Sequence, residues 1–109
     1  MTAPDPVVPN ASLLSTPRIL DGRFFLRPDP VVNRTVRYFM ALTAQECKID
    51  LYAYSVLSNQ MHVAFFDRHR RHPDFRRDFH SMTTRAINKH RGEWGQKWDT
   101  QHKSVVLLC

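Results

Sequence analysis

The sequence predicts a single α+β domain, an antiparallel sheet with two helices on one face, built in the order strand, helix, hairpin, helix, strand. Three observations predict it. Ile49–Leu57 and Gln60–Asp67 are rich in β-branched and aromatic residues and are separated only by Ser58-Asn59, the spacing of a tight hairpin. Two stretches, 34–48 and 73–90, carry apolar residues at helical spacing. Short apolar runs at 11–16 and 104–109 flank this set.

Residues 1–10 hold Pro4, Pro6 and Pro9 and are expected to form a flexible N-terminal segment, with 11–109 as one domain. The first strand, 11–16, is ended by Pro17. Residues 21–30 read as a connector with an apolar patch at Phe24, Phe25 and Leu26. Asn33 is a good N-cap, and Val36, Phe39, Met40, Leu42 and Cys47 form the stripe of a helix over 34–48. In the hairpin, Leu57 pairs with Gln60 and Ser55 with His62. One face then carries Leu51, Ala53, Ser55, Leu57, Gln60, His62, Ala64 and Phe66, and the other Tyr52, Tyr54, Val56, Met61, Val63 and Phe65. Pro73 and Asp74 open a second helix, and Gly92 stops it. Trp94 and Trp98 precede the last strand. The resulting βαββαβ order is that of a ferredoxin-like sheet.

The sequence has no apolar run long enough to span a membrane, residues 1–14 lack the basic and long apolar stretches of a secretory leader, so none is expected, and Cys47 and Cys109 do not make a disulfide framework. The expected setting is therefore reducing and cytoplasmic, with no membrane partner. Net charge is +6, and all of the excess lies in residues 68–109. Such one-sided charge points to a polyanion, most simply nucleic acid. Arg68, Arg70 and Arg71 follow the hairpin directly, and Arg85 and Lys89 lie one turn apart on the second helix. These residues are candidate phosphate contacts, against the plainer reading of a solvated basic surface. Arg23 and Arg27 fall outside the basic half and are expected to matter little. Trp94 could stack on a base, although small domains more often use tryptophan to cap the core.

Gln60 and His62 alternate around Met61 and so point to one face of a strand. An amide oxygen and an imidazole could hold Mg²⁺ or Mn²⁺ from one side, although such ions prefer carboxylates. The alternative is an ordinary hydrogen-bonded histidine.

The stretch Tyr52-Ala53-Tyr54-Ser55-Val56-Leu57-Ser58-Asn59-Gln60-Met61-His62-Val63 resembles the motif strand of the REP-associated tyrosine transposases, single-tyrosine members of the HUH class. Further matches are Arg23-Phe24-Phe25-Leu26-Arg27-Pro28, Thr84-Arg85-Ala86-Ile87-Asn88, and Gly92-Glu93-Trp94 with Trp98 ahead of Ser104-Val105-Val106. The resemblance covers about residues 6–108. It implies a dimeric enzyme acting on single-stranded or hairpin DNA. In such enzymes two histidines hold a divalent metal that polarises the scissile phosphate, and a tyrosine forms a phosphotyrosine link.

Two departures matter. Gln60 stands where the family has its first motif histidine, so metal binding is expected to be weak or lost. The family's nucleophilic tyrosine lies on a helix beyond the strand starting near Ser104, and this sequence ends at Cys109. No catalytic residue is therefore assigned, and the expectation is a C-terminally truncated, inactive transposase-like domain that binds single-stranded DNA. The alternatives are a basic ferredoxin-like module that binds nucleic acid without metal, and a remnant with no function.

Overall fold

The computed structural model describes residues 9–100 and 104–107. Most of the N-terminal segment 1–10, and Cys109, lie outside the described residues. The elements are β1 (Ala11–Ser15), α1 (Pro30–Glu46), β2 (Ile49–Leu57), β3 (Gln60–Asp67), α2 (His72–Arg91) and β4 (Ser104–Leu107), with a short 3₁₀ turn at Leu20–Gly22. The strands form one antiparallel sheet in the order β2-β3-β1-β4. This is the ferredoxin-like arrangement expected from the sequence.

β1 and β3 form the centre of the sheet, and both alternate strictly between buried and half-buried positions. Ala11, Leu13 and Ser15 on β1 face the same way as Met61, Val63, Phe65 and Asp67 on β3. Both helices pack on that face. α1 contributes Val32, Val36 and Met40, and α2 contributes Phe75, Phe79 and Ile87. Phe65 meets Phe75 edge-on, with ring centroids 5.5 Å apart. The other face of the sheet is not covered by either helix, and its residues are half-buried or exposed.

The hairpin has the predicted bounds and turn, with Leu57 opposite Gln60 and Ser55 opposite His62. Its face assignment needs one correction. A β-bulge falls between Leu51 and Ala53, so Leu51 pairs with Phe65 on the core side rather than standing beside His62. Tyr52, the extra residue, swings to the open face, where its hydroxyl lies 3.1 Å from that of Ser12. An alternation counted straight through the strand misses this, because a bulge shifts the parity of every residue before it.

The first helix begins at Pro30, not at residue 34, and its cap is Asp29 rather than Asn33. The Asp29 carboxylate accepts the Val32 N–H at 2.8 Å, and Pro30 occupies the first turn, where no N–H is needed. The second helix ends as expected: Gly92 adopts φ 65°, the left-handed cap conformation that glycine takes without a Cβ clash.

The loop from β3 to α2 is organised by Asp67, whose side chain is fully buried. Its carboxylate accepts the backbone N–H of Arg71 and of His72, each at 2.9 Å, and that of His69 at 3.4 Å. One side chain thus satisfies the donors that begin α2 and fixes the helix against β3.

Two stability predictions follow from these caps. Asp67→Ala leaves buried donors unmatched and is expected to cost about 3 kcal/mol, with Asp67→Asn costing less because one oxygen remains. Urea unfolding with an unchanged slope would read both, and a loss below about 1 kcal/mol for the alanine variant would show that the loop is held by something else. The Asp29 carboxyl sits below the usual carboxylate range, chiefly because of the Val32 N–H; partial burial opposes this, and His90 and Arg91 add to it. A lowered folded pKa gives stability that is complete above about pH 4 and fades as pH falls through the folded value. The difference in Tm between wild type and Asp29→Ala should therefore be full at about pH 6 and shrink steadily below about pH 4. A difference that is constant across that range would contradict the role of the charge.

Candidate nucleic-acid interface

The pairing of β1 with β3 continues past the end of β1. Ser15 stands opposite Val63, the Met61 N–H donates to the Pro17 carbonyl at 3.0 Å, and Arg18 bridges Gln60. Cross-strand partners share a face, so Thr16 and Arg18 join Gln60 and His62 on the open face. Ser55 and Leu57 of β2 complete the patch. His62 is half-buried, and its Nδ1 lies 3.5 Å from the Thr16 hydroxyl.

The sequence-predicted pair, Gln60 and His62, is therefore side by side and points away from the helices. The groups that the strand register brings beside it are an imidazole, an amide and the Thr16 and Ser55 hydroxyls, none of them a carboxylate. A guanidinium, Arg18, stands opposite Gln60. Mg²⁺ and Mn²⁺ favour carboxylate oxygens, and a fixed positive charge nearby works against a second cation. Among the described residues no group of three or more His, Cys, Asp or Glu could hold a metal. The described residues alone do not fit a Mg²⁺ or Mn²⁺ centre.

The predicted basic residues fall in two places. Arg68 and Arg70 lie at the opposite end of β3 from His62, about 20 Å away by strand rise, and Arg71 begins α2 beside them. Arg68 pairs with Asp50 at 2.8 Å and lies over the Phe66 ring, and Arg71 pairs with Asp74 at 2.9 Å. Arg70 is exposed. Arg85 and Lys89 are exposed on α2, on the helical side of the sheet, with Arg85 reaching the Ser81 hydroxyl at 3.4 Å. Trp94 is 83% exposed. Trp98, in contrast, is buried, stacks on His80 at 4.1 Å and donates its indole N–H to Thr84.

Arg18 was not predicted as part of this surface. Its position follows from the strand register running on beyond Pro17, a residue that reads from sequence as the end of the strand. No tyrosine stands next to His62. Tyr38 is on α1, behind the sheet, and Tyr54 pairs with Val63 on the core side. Tyr52 is on the open face, but its hydroxyl sits at Ser12, about 13 Å along β1 from Thr16.

A scan against protein-family models and a search of curated protein sequences found no match. Solved structures do match. A REP-associated tyrosine transposase bound to a REP hairpin superposes with a TM-score of 0.78 at 10% identity, over 100% of this chain and 63% of that one. A candidate transposase from Deinococcus radiodurans R1 superposes with a TM-score of 0.71 at 16% identity, over 99% of this chain and 87% of that one. The chain thus spans less than two thirds of the first of these structures. At such identities the likeness is one of fold, and function has to be argued from the site.

The tyrosine positions predict that this chain, incubated with single-stranded DNA and Mn²⁺, forms no covalent protein–DNA adduct on a denaturing gel. An adduct mapped to Tyr52 would show that the bulge brings its hydroxyl to bound phosphate after all.

Proposed function

We propose that the chain is a transposase-like domain that binds single-stranded or hairpin DNA and no longer cuts it. The observation that carries this reading is the register of β1 on β3. It gathers Thr16, Arg18, Gln60 and His62 on one end of an uncovered sheet face, in a fold shared with two transposase-like structures. The net charge of +6 supports a polyanionic partner. In this reading, metal-dependent cleavage through a phosphotyrosine is the ancestral activity, and Gln60 with His62 is what is left of its metal pair. Self-association as a homodimer belongs to the same proposal, since Leu14, Ala64 and Phe66 leave an apolar strip on the open face. No helix of the described residues is long and apolar enough to cross a membrane.

A second reading, a ferredoxin-like nucleic-acid module that never uses metal, is favoured by the lack of a carboxylate among Thr16, Ser55, Gln60 and His62. One experiment separates the two. A labelled oligonucleotide is titrated over a range of salt, once with Mn²⁺ and once with a chelator. Neutralising four to six phosphates gives a slope of log K against log salt of about −3 to −4 for single strands. A gain in affinity with Mn²⁺ that His62→Ala abolishes assigns a residual transposase-like metal pair and overturns the poor fit of its donors. Equal affinity in both arms assigns the metal-free module. No salt-dependent binding in either arm would end the nucleic-acid reading.

A further inference from the structure

Two segments far apart in sequence meet beside the hairpin turn. The 3₁₀ segment is tied to the turn by the Ile19 N–H on the Asn59 carbonyl and the Leu26 N–H on the Ser58 carbonyl, both at 2.9 Å. The segment after α2 is tied to it in turn, through the Leu20 N–H on the Lys97 carbonyl at 2.8 Å and the Arg91 guanidinium on the Arg27 carbonyl at 3.1 Å. Between them lie two adjoining depressions that share Arg23, Glu93 and Lys97. One runs out to Phe24 and Arg27, the other to Trp94.

The charge in these depressions is not spent internally. Lys97 is buried, lies over the Phe25 ring and pairs with Glu93 at 3.0 Å, so these two neutralise each other. Lys97 chiefly holds the Glu93 carboxyl below its usual range, with Arg27 and Arg23 adding to the effect. Arg23 and Arg27 remain, both exposed, and among the described residues neither closes an ion pair. Of the three arginines after β3, Arg68 and Arg71 are already paired with Asp50 and Asp74, and Arg70 is exposed with no ion pair among the described residues. Two large rings also stand in water here: Trp94 at 83% and Phe24 at 63% exposure. Arg27 donates only to the nearby Phe24 carbonyl, at 3.2 Å. Guanidinium groups with no acid partner beside bare aromatic faces are the combination that holds single strands, phosphate on the cation and base on the ring. A duplex offers no such base face except at its ends.

We propose that single-stranded DNA binds at the hairpin-turn end of the sheet, with phosphates on Arg23 and Arg27 and a base stacked on Trp94. From there the strand runs past Arg18 onto the open face at Gln60 and His62. The proposal rests on the DNA-binding reading above and adds the place and the residues. It differs from the path suggested by charge counting, because the loop 68–71 lies at the far end of β3.

A salt titration of fluorescent oligothymidylate tests it with three variants of the whole chain. The substituted side chains are all exposed; Arg68 also lies over the Phe66 ring and Arg71 reaches the Cys47 sulfur, so thermal melts check that each variant folds. Arg23→Ala with Arg27→Ala should flatten the salt slope by about 1.4, two phosphate contacts on a single strand. Trp94→Ala should weaken binding about tenfold at every salt concentration and leave the slope unchanged, because stacking releases no counterions. Arg68→Ala, Arg70→Ala and Arg71→Ala together should change the slope less than the first pair does. If wild type binds but the first pair keeps its slope and Trp94→Ala keeps its affinity, the location is wrong while the DNA-binding reading stands. If wild type does not bind at any salt, both fail together.

Discussion

Everything in this molecule hangs on the antiparallel pairing of β1 with β3. The register is continuous from Ala11 opposite Asp67 to Arg18 opposite Gln60. On one face it stacks Leu13 with Phe65 and Met61, the fully buried centre against which both helices pack. On the other face the same register sets Thr16 beside His62 and Arg18 beside Gln60. Because side chains alternate with a period of two, a slip of one residue would expose the core and bury the site. Core and candidate site are thus specified by one set of backbone hydrogen bonds.

The sheet has two ends with different electrostatics. At the end where β3 meets α2, most acids and bases are matched: Asp67 caps the helix, Asp50 takes Arg68, and Asp74 takes Arg71 and Arg77, while Arg70 stays exposed with no ion pair among the described residues. Exposed pairs of this kind contribute little to stability, but they leave less charge for a partner. At the hairpin-turn end, Arg18, Arg23 and Arg27 are gathered with Trp94 and Phe24 around the turn. Counting charge along the sequence assigns the chain's basic character to residues 68–109. Counting it in space, after ion pairs are subtracted, leaves Arg70, Arg85 and Lys89 of that stretch without an acid partner among the described residues, and adds Arg18, Arg23 and Arg27 from a segment that reads as neutral in the sequence.

Much of the architecture was legible beforehand, for identifiable reasons. Ser58-Asn59 between two β-rich runs fixed the hairpin and its register, and Gly92 marked the end of α2. The start of α1 was misread because Asn33 is an attractive cap, while the Asp29-Pro30 pair that does the capping sat inside what looked like a connector. The bulge at Tyr52 was invisible to an alternation pattern, since Leu51 and Tyr52 are both acceptable on either face. The side-by-side placement of Gln60 and His62 could be read from their spacing alone. Arg18 could not, because Pro17 suggested the strand had ended, and the meeting of Arg23 with Trp94 depends on hydrogen bonds from Leu20 to Lys97 that no local signal announces.

The proposed landing place of a DNA strand is the hairpin-turn end of the open sheet face. Backbone amide shifts of the isotopically labelled chain, followed by NMR as oligothymidylate is added, test it most directly. The account predicts shifts clustered in residues 16–27, 58–62 and 93–97. Shifts confined to residues 68–91, with the turn end unmoved, would contradict it.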